Sequence, residues 1–245
     1  MRLTASAIVL SLRPHGEVGA VVRMMTRDHG LQAAYVRGAR GRQMRPVLIP
    51  GNLVEVNLSA RTEGQLAQAT VELVHSHAPL LREPLPAAAI DWICALAVTV
   101  LPEGQPYGRL YDALDGLLRA IAASPVASGW GAALVRFELL LLAELGFGLQ
   151  LDRCAVSGED HDLIAVSRRS GQAVGAKAAT SYLSKLLPLP AFVRDGGQAT
   201  WPDIIDGLKL SEHFLMRDLV IDRAAPVAAA RERLIERLHR AAGLA

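Results

Sequence analysis

Cysteine is scarce in this sequence, and its scarcity excludes two kinds of protein. The 245 residues include two cysteines, Cys94 and Cys154, which lie far apart and in different surroundings. A small secreted domain needs several disulfides, and a structural zinc site of the thiolate type needs four ligands, so neither is complete here. We therefore expect a reducing, cytoplasmic compartment.

Long hydrophobic runs are also absent. The longest uncharged apolar run, residues 92–101, has half of the roughly 20 residues that a bilayer-spanning helix needs. Arg13 and Pro14 interrupt the apolar stretch near the N-terminus before any cleavage site of small residues. We expect no membrane segment and no export signal.

Signatures of the common catalytic sites are missing as well. The sequence contains no GxxxxGK[ST] phosphate loop, no GxSxG elbow, no HExxH and no GxGxxG after a strand. Residues 38–41 match the GxxG of a KH domain, but they follow a predicted strand, so we interpret the match as chance. None of the seven histidines has a carboxylate at a spacing that would fix its tautomer, so we interpret all as exposed or structural. The expectation is a protein without enzymatic activity.

The net charge of +2 conceals an uneven distribution of basic residues. Residues 1–78 hold nine basic side chains against five acidic ones, a net of +4, and all nine are arginines. The remaining residues hold 17 basic and 19 acidic groups, a net of −2. A guanidinium group binds phosphate through two hydrogen bonds at once, so this bias favours phosphate recognition. A basic face that is solvated and binds nothing is the alternative.

Hydrophobic residues alternate with period two over the first 76 residues, which predicts strands. Five strands are expected, at residues 4–12, 17–26, 31–37, 52–60 and 65–74. Turn sequences separate the first three, and a long connection over 38–51 leads to the fourth. No helix long enough for a parallel crossover lies between them. We therefore predict a small closed or partly open barrel as a domain of residues 1–78.

Helical periodicity follows, which predicts an α-helical domain over residues 79–245. The expected helices are 87–101, 107–123, 126–145, 179–187, 202–222 and 226–242. Ser124 and Pro125 are expected to start the third helix, whose core is apolar all round and is typical of the central helix of a bundle. In the last helix, Arg231 is expected on the outer, charged face and Leu234 on the inner one.

Short, polar, turn-rich sequence at residues 149–176 predicts a small β-rich insert in the helical domain. Cys154 and His161 resemble one half of a zinc ribbon, but tetrahedral zinc needs four N or S ligands, and the neighbouring carboxylates are poor substitutes. We predict no metal and no cofactor. Cys94, inside an apolar helix, is interpreted as a small buried hydrophobic residue.

The arginines of the predicted barrel form the one constellation with a chemical mechanism. We expect six of them to line one groove that follows phosphates: Arg23, Arg27, Arg37, Arg40, Arg42 and Arg45. Arg13 is expected to join them. Six engaged arginines give a log–log salt slope of about −4 to −5. Tyr35 is the only aromatic residue among residues 1–78, so binding is expected to follow the backbone rather than the bases.

Several segments resemble the RecO family of bacterial DNA repair proteins. The similar segments are Met25-Thr26-Arg27-Asp28-His29-Gly30-Leu31, Val36-Arg37-Gly38-Ala39-Arg40, residues 136–147 and residues 151–158. They follow the family's order and spacing over roughly residues 5–175. By this resemblance, Arg27 and His29 match a basic turn of the family, which adds His29 to the predicted DNA-binding residues. Arg37, Gly38 and Arg40 match the family's Arg-Gly-Ala-Arg block. The family's insert often binds zinc through four cysteines, of which only the position of Cys154 survives.

The resemblance implies an OB-fold followed by a helical domain with a degenerate zinc-ribbon-like insert. It further implies a non-catalytic recombination mediator of the RecF pathway, which works in the bacterial cytoplasm at the nucleoid. Such proteins bind single- and double-stranded DNA, anneal complementary strands and help to load RecA, together with RecR and single-strand DNA-binding protein. The C-terminal tail of the latter is acidic, and Arg136 is the expected rim of a pocket for it, with a structural ion pair as the alternative role.

Two other functions remain open at this stage. One is a protein-interaction adaptor with an OB-like barrel and no direct nucleic-acid role, in which the arginines are simply solvated. The other is a metal-dependent hydrolase, which would contain bound metal. Affinity for an oligonucleotide at different salt concentrations separates the DNA-binding function from the first of these, and metal analysis separates it from the second.

Overall fold

The first five strands form a closed barrel, as the period-two pattern predicts. The strands are β1 (Arg2–His15), β2 (Gly19–Thr26), β3 (Gly30–Val36), β4 (Leu53–Ser59) and β5 (Ala67–His75). Around the barrel they follow the order β1-β2-β3-β5-β4, with β4 closing on β1 and with β3 and β5 running parallel. An irregularity between Val9 and Ser11 bends β1, so that it pairs with both neighbours. The predicted OB-fold barrel followed by a helical region is thereby confirmed.

The computed structural model describes residues 2–60, 62, 64–124, 126–180, 183–220 and 224–243. Arg61, one of the nine N-terminal arginines, and Pro125, expected at the start of the third helix, lie outside these residues. Among the helices of the described ranges, none is long and apolar enough to cross a membrane.

The loop between β3 and β4 packs into the barrel core. Its apolar residues Ala39 and Leu48 are 1% and 3% exposed and belong to the same buried cluster as the inward-facing strand residues. Asn52, which is fully buried, donates from its amide nitrogen to the carbonyl oxygens of Pro46 and Val47 at 2.9 and 3.0 Å. Because the apolar residues of the loop fill the barrel, its arginines are left on the outside.

Among the described residues, seven α-helices and three short strands follow the barrel. The helices are α1 (Pro84–Val100), α2 (Gly108–Ala123), α3 (Gly131–Glu144), α4 (Ala176–Ala179), α5 (Ala191–Asp195), α6 (Trp201–Phe214) and α7 (Ala224–Ala241), and the strands are β6 (Leu163–Ser167), β7 (Ala173–Gly175) and β8 (Leu186–Pro188). The chain divides into two compact units, Met1–Pro125 together with Arg223–Ala245, and Val126–Asp222. The first unit therefore combines the barrel with α1, α2 and α7. The domain boundary predicted at residue 78 stays a prediction.

The last helix, α7, packs on α1, and one of its charged residues is placed differently from the prediction. Arg231 is 1% exposed, and its guanidinium carbon lies 4.9 Å from the centre of a Trp92 ring on α1. The expectation of an outward-facing Arg231 is therefore wrong. An aromatic face allows a guanidinium group to be buried, and the partner ring is remote in sequence, so periodicity could not reveal it. Arg233 is exposed as predicted and pairs with Asp91 at 2.6 Å.

In the second unit, α3 begins later than predicted and is not enclosed on all sides. A 3-10 turn, Ala127–Gly129, comes first, and the N-cap is Trp130, without a side-chain capping bond. The helix packs against α5 and α6, where a Cβ on Gly131 would lie 2.8 Å from Ile204. Ala143 on its other side is exposed. The predicted central helix of a bundle is thus wrong, because leucine-rich sequence alone does not say which faces are covered.

The helix predicted for residues 179–187 is also wrong. The chain forms the single turn of α4, then a 3-10 turn, Leu183–Lys185, and then β8, which pairs with β6 to complete a sheet of order β7-β6-β8. Leu187, 3% exposed, lies opposite Val166, and this pairing overrides the weak helical propensity of the segment. The predicted β-rich insert therefore gains a strand from beyond its expected end.

The two cysteines differ in chemical environment. Complete burial raises the pKa of the Cys94 thiol to about 12. Cys154 lies in the turn before β6, where hydrogen bonds from Ser157 and from the Gly175 N–H, at 3.2 Å, lower the pKa of its thiol to about 7. Within the described ranges, no group of three or more His, Cys, Asp or Glu side chains is arranged to hold a metal ion.

Candidate nucleic-acid interface

One outer face of the barrel carries a row of polar side chains that crosses four strands. Arg2 on β1 lies opposite Ser59 on β4, Ser59 opposite Gln68 on β5, and Gln68 opposite Tyr35 on β3. Directly paired residues point to the same side of a sheet, so these four side chains stand next to one another. A second row, formed by Thr4, Asn57 and Thr70, lies two residues further along the strands.

These two rows form the floor of an open surface groove with a volume of about 650 Å³. Arg2 and Arg37 line this groove, and Tyr35 supplies its aromatic wall. The Tyr35 ring lies against Gly19, where a Cβ would come within 2.2 Å of the tyrosine hydroxyl oxygen, and it makes an edge contact with His15. A glycine at position 19 is therefore needed for this position of the ring. We call the space the polar groove.

The loop after β3 places more arginines next to the turn between β1 and β2. Arg40 donates from its guanidinium to the Glu17 carbonyl oxygen at 3.1 Å, and its backbone N–H bonds to the Val18 carbonyl. Arg42 and Arg45 follow on the exposed outside of the loop. Arg13, also exposed, lies near the end of β1 opposite Val21, which in turn lies opposite Tyr35. We call this part of the barrel, which includes the polar groove, the open end.

The rest of the β2–β3 hairpin, from its middle to its turn, carries Arg23, Arg27 and His29, and both arginines form ion pairs with acidic residues. Arg27 makes a two-pronged contact with Asp112 on α2, with both N–O distances at 2.9 Å. This contact raises the pKa of Arg27 and lowers the pKa of Asp112. Arg23 pairs with Glu103 at 3.1 Å. We call this part the paired end.

Of the six arginines predicted to line one groove, Arg37 lines the polar groove. The single groove for all six stays a prediction. Ala20 pairs with Val36 at one end of the hairpin, and Thr26 pairs with Gly30 at the other. The two pairs are six residue steps apart along the strand, a distance of about 20 Å. Arg27 and Arg37 thus lie at opposite ends of the hairpin. Contact of any of the eight predicted residues with DNA stays a prediction.

Sequence reasoning missed four residues of the groove floor, namely Arg2, Asn57, Gln68 and Thr70. These residues are exposed positions on β1, β4 and β5. The alternation of polar and hydrophobic residues along these strands was visible in the sequence. The register between strands, which brings them into rows, was not visible, because pairing partners are up to 57 residues apart.

Arg136, predicted to hold a partner's tail, contacts backbone carbonyls in the second unit. Its guanidinium donates to the carbonyl oxygens of Gly197 at 3.0 Å and Phe192 at 3.4 Å, and lies 5.5 Å from the centre of the Phe192 ring. The contacts join α3 to the chain around α5. They are not the ion pair considered as its alternative role.

Two histidines have neighbours that sequence reasoning did not identify. His161 does have a carboxylate neighbour, Asp160, at 3.5 Å, but both side chains are exposed. His77 is 3% exposed, and its Nδ1 lies 2.8 Å from the Gly51 carbonyl oxygen. Burial lowers the pKa of His77. It is a structural residue that holds the end of the loop between β3 and β4.

A closed five-stranded barrel of this topology, with an open polar groove and a basic end, defines the class of oligonucleotide- and oligosaccharide-binding folds. Comparison with known families narrows the class. Residues 1–77 match the family described as recombination protein O N terminal, and residues 83–223 match recombination protein O C terminal. The chain belongs to the recombination protein O family of DNA repair and recombination proteins.

Individual relatives support this assignment over nearly the full length. The chain is 44% identical to the DNA repair protein RecO of Rhodospirillum rubrum over 240 residues, which cover 95% of this chain and 94% of the relative. It is 41% identical to that of Rhodospirillum centenum, with 98% and 96% covered. It is 39% identical to that of Cereibacter sphaeroides (strain ATCC 17025), with 95% and 96% covered.

Proposed function

We propose that this protein is a non-enzymatic, DNA-binding recombination mediator that holds strand backbones at the open end of the barrel. The observation that supports this most is the state of the arginines there. Arg2, Arg13, Arg37, Arg42 and Arg45 have no ion-pair partner among the described residues, and all are exposed. Free guanidinium groups beside an open polar groove are available to phosphates.

The same surface is suited to annealing of complementary strands. Two strands repel each other through their phosphates, and a protein that neutralises both backbones lowers this barrier. Annealing also requires the Watson–Crick edges to stay free. The open end has a single aromatic side chain, Tyr35, and therefore lacks the successive stacking platforms that would hold bases away from pairing. Binding through the backbone also extends to double-stranded DNA, because phosphates are common to both.

The proposed partners are RecR, RecA and single-strand DNA-binding protein, and the proposed place of action is the bacterial cytoplasm at the nucleoid. Arg136 is the proposed contact for the acidic C-terminal tail of single-strand DNA-binding protein. Replacement of Arg136 by Ala is expected to weaken binding of a tail peptide, measured by fluorescence anisotropy. Unchanged peptide affinity would remove Arg136 from the proposal.

The DNA-binding proposal is tested by the salt dependence of binding to a single-stranded oligonucleotide. If the five exposed arginines of the open end and Arg40, which lies beside them, all contact phosphates, the log–log slope is about −4, at about 0.7 per phosphate contact. In the variant R37A/R40A/R42A we expect a slope that is shallower by about two and, near 0.1 M salt, an affinity roughly 100-fold lower. R168A/R169A, which removes two exposed arginines of the second unit, is the control and is expected to bind like the unchanged protein. A flat salt response would favour the protein-interaction adaptor.

A further inference from the structure

The paired end of the barrel carries the positive charges of a phosphate-binding surface, but carboxylates already form ion pairs with these arginines. Asp112 contacts Arg27 through two parallel hydrogen bonds, from Nε and from the terminal nitrogen. This is the same geometry in which a guanidinium group grips two oxygens of a phosphate. The two side chains are 55% and 54% exposed, so solvent and DNA reach the pair.

Glu103 pairs with Arg23 through one N–O contact of 3.1 Å, and backbone contacts hold Glu103 near the hairpin. Glu103 forms a bridge with Leu31 at the start of β3, and the next N–H, of Gly104, donates to the Leu31 carbonyl oxygen at 2.9 Å. A Cβ on Gly30 would lie 1.8 Å from the Gln105 carbonyl oxygen, so glycine allows this close approach. The segment from 103 to 105 therefore lies on the hairpin that carries Arg23.

This arrangement covers a surface that OB-folds commonly use. Ligands of OB-folds generally bind across β2 and β3 and the adjacent loops. Here the β2–β3 turn faces acidic residues that belong to the same compact unit. Exposed ion pairs of this kind contribute little to the free energy of folding. Stability therefore does not explain why these two ion pairs are present.

We propose that Glu103 and Asp112 are specificity-determining residues that occupy Arg23 and Arg27 in place of phosphate and so confine nucleic acid to the open end of the barrel. This inference rests on the proposed DNA-binding function and adds which arginines take part. A strand that runs along the hairpin meets free guanidinium groups at the open end and neutralised ones at the paired end. The bound segment of nucleic acid is therefore short and lies at the open end of the barrel.

The test compares three variants with the unchanged protein in a salt titration with a single-stranded oligonucleotide. E103Q/D112N removes both carboxylates, R23Q/R27Q removes both arginines, and the third variant combines all four changes. We expect E103Q/D112N to bind roughly ten- to 100-fold tighter at low salt, with a slope steeper by about 1.4, because two further arginines contact phosphates. We expect R23Q/R27Q to bind like the unchanged protein, and the fourfold variant to lose the whole gain.

The combined variants separate this inference from general electrostatics. If the carboxylates only repel DNA at a distance, R23Q/R27Q weakens binding by the same factor in both backgrounds, and the inference is overturned. An unchanged salt slope in E103Q/D112N overturns it as well. Should E103Q/D112N fail to fold, as judged by circular dichroism, E103Q alone is expected to steepen the slope by about 0.7.

Failure of the proposed function gives a different result. In that case the unchanged protein itself shows no salt-dependent binding, whatever the variants do. If the unchanged protein binds with the expected slope and the variants do not differ from it, only the confinement by Glu103 and Asp112 is wrong.

Discussion

The two ends of the β2–β3 hairpin carry the same basic residue type and differ in what surrounds it. At the open end, Arg37 lines the polar groove and Arg40 contacts a carbonyl oxygen. At the paired end, Arg23 and Arg27 face Glu103 and Asp112. A count of arginines treats all four alike. Their availability to a ligand depends instead on which acidic residues the fold brings to them.

The largest effect that tests this comparison is expected from two glycines with the same backbone conformation. Gly16 in the β1–β2 turn and Gly30 in the β2–β3 turn both have φ of 66°. A Cβ on Gly16 meets nothing within 4 Å, whereas one on Gly30 meets the Gln105 backbone. We expect G16A to destabilise the protein by about 1 kcal/mol and G30A by about 3 kcal/mol or more. Urea unfolding measures both, and equal losses would contradict a covered paired end.

Arg231 adds a third case to the comparison, an arginine whose side chain is buried. Its guanidinium is buried against Trp92, so R231A leaves a cavity beside the ring and removes the cation–π contact. We expect a loss of about 2–3 kcal/mol in the free energy of unfolding. R233A, on the same helix as Arg231, removes an exposed ion pair with Asp91 of α1 and is expected to cost less than about 1 kcal/mol. A larger loss for R233A than for R231A would refute the burial of Arg231.

A pH dependence is expected from the histidine that holds the loop of the open end. Burial lowers the pKa of His77, so between its folded value and its ordinary value of about 6.5 the unfolded chain binds more protons. Stability is therefore complete above about pH 6.5 and falls as the pH drops through that range. Thermal unfolding at pH 7.5 and 5.5 measures this loss, which we expect to shrink in H77N and to persist in the control H29Q, which replaces an exposed histidine remote from His77. An equal loss in H77N would exclude His77 as its source.

The smallest effect on stability is expected at the paired end itself. The Arg27–Asp112 contact is exposed and screened, so D112N is expected to leave the unfolding midpoint almost unchanged. High salt weakens this contact, and the small difference from the unchanged protein is expected to vanish there. A large loss on substitution would show that the pair mainly fastens α2 to the barrel. It would also weaken the inference that Asp112 acts on nucleic-acid binding.

Much of the fold was predictable from the sequence, because stretches of alternating hydrophobic residues mark the strands and glycine-containing turns separate them. β4, for example, reads as buried and exposed positions in alternation. The errors lie where distant residues decide the outcome. Leu187 is in a strand because β6 offers a partner, and Arg231 is buried because Trp92 lies beneath it. The candidate site shows the same limit, since the sequence identified the arginines but not their acidic partners.

By itself, the sequence determined the five strands, the helical remainder and the concentration of arginine in the barrel, since periodicity and composition are local properties. The tertiary structure alone decided which arginines are free. Arg27 and Asp112 are 85 positions apart in the chain, and Arg2 and Ser59 are 57 positions apart, yet each pair is adjacent in space. Electrostatic neutralisation acts over a few ångströms of space and not along the chain, so charge becomes a functional surface only when the barrel is closed.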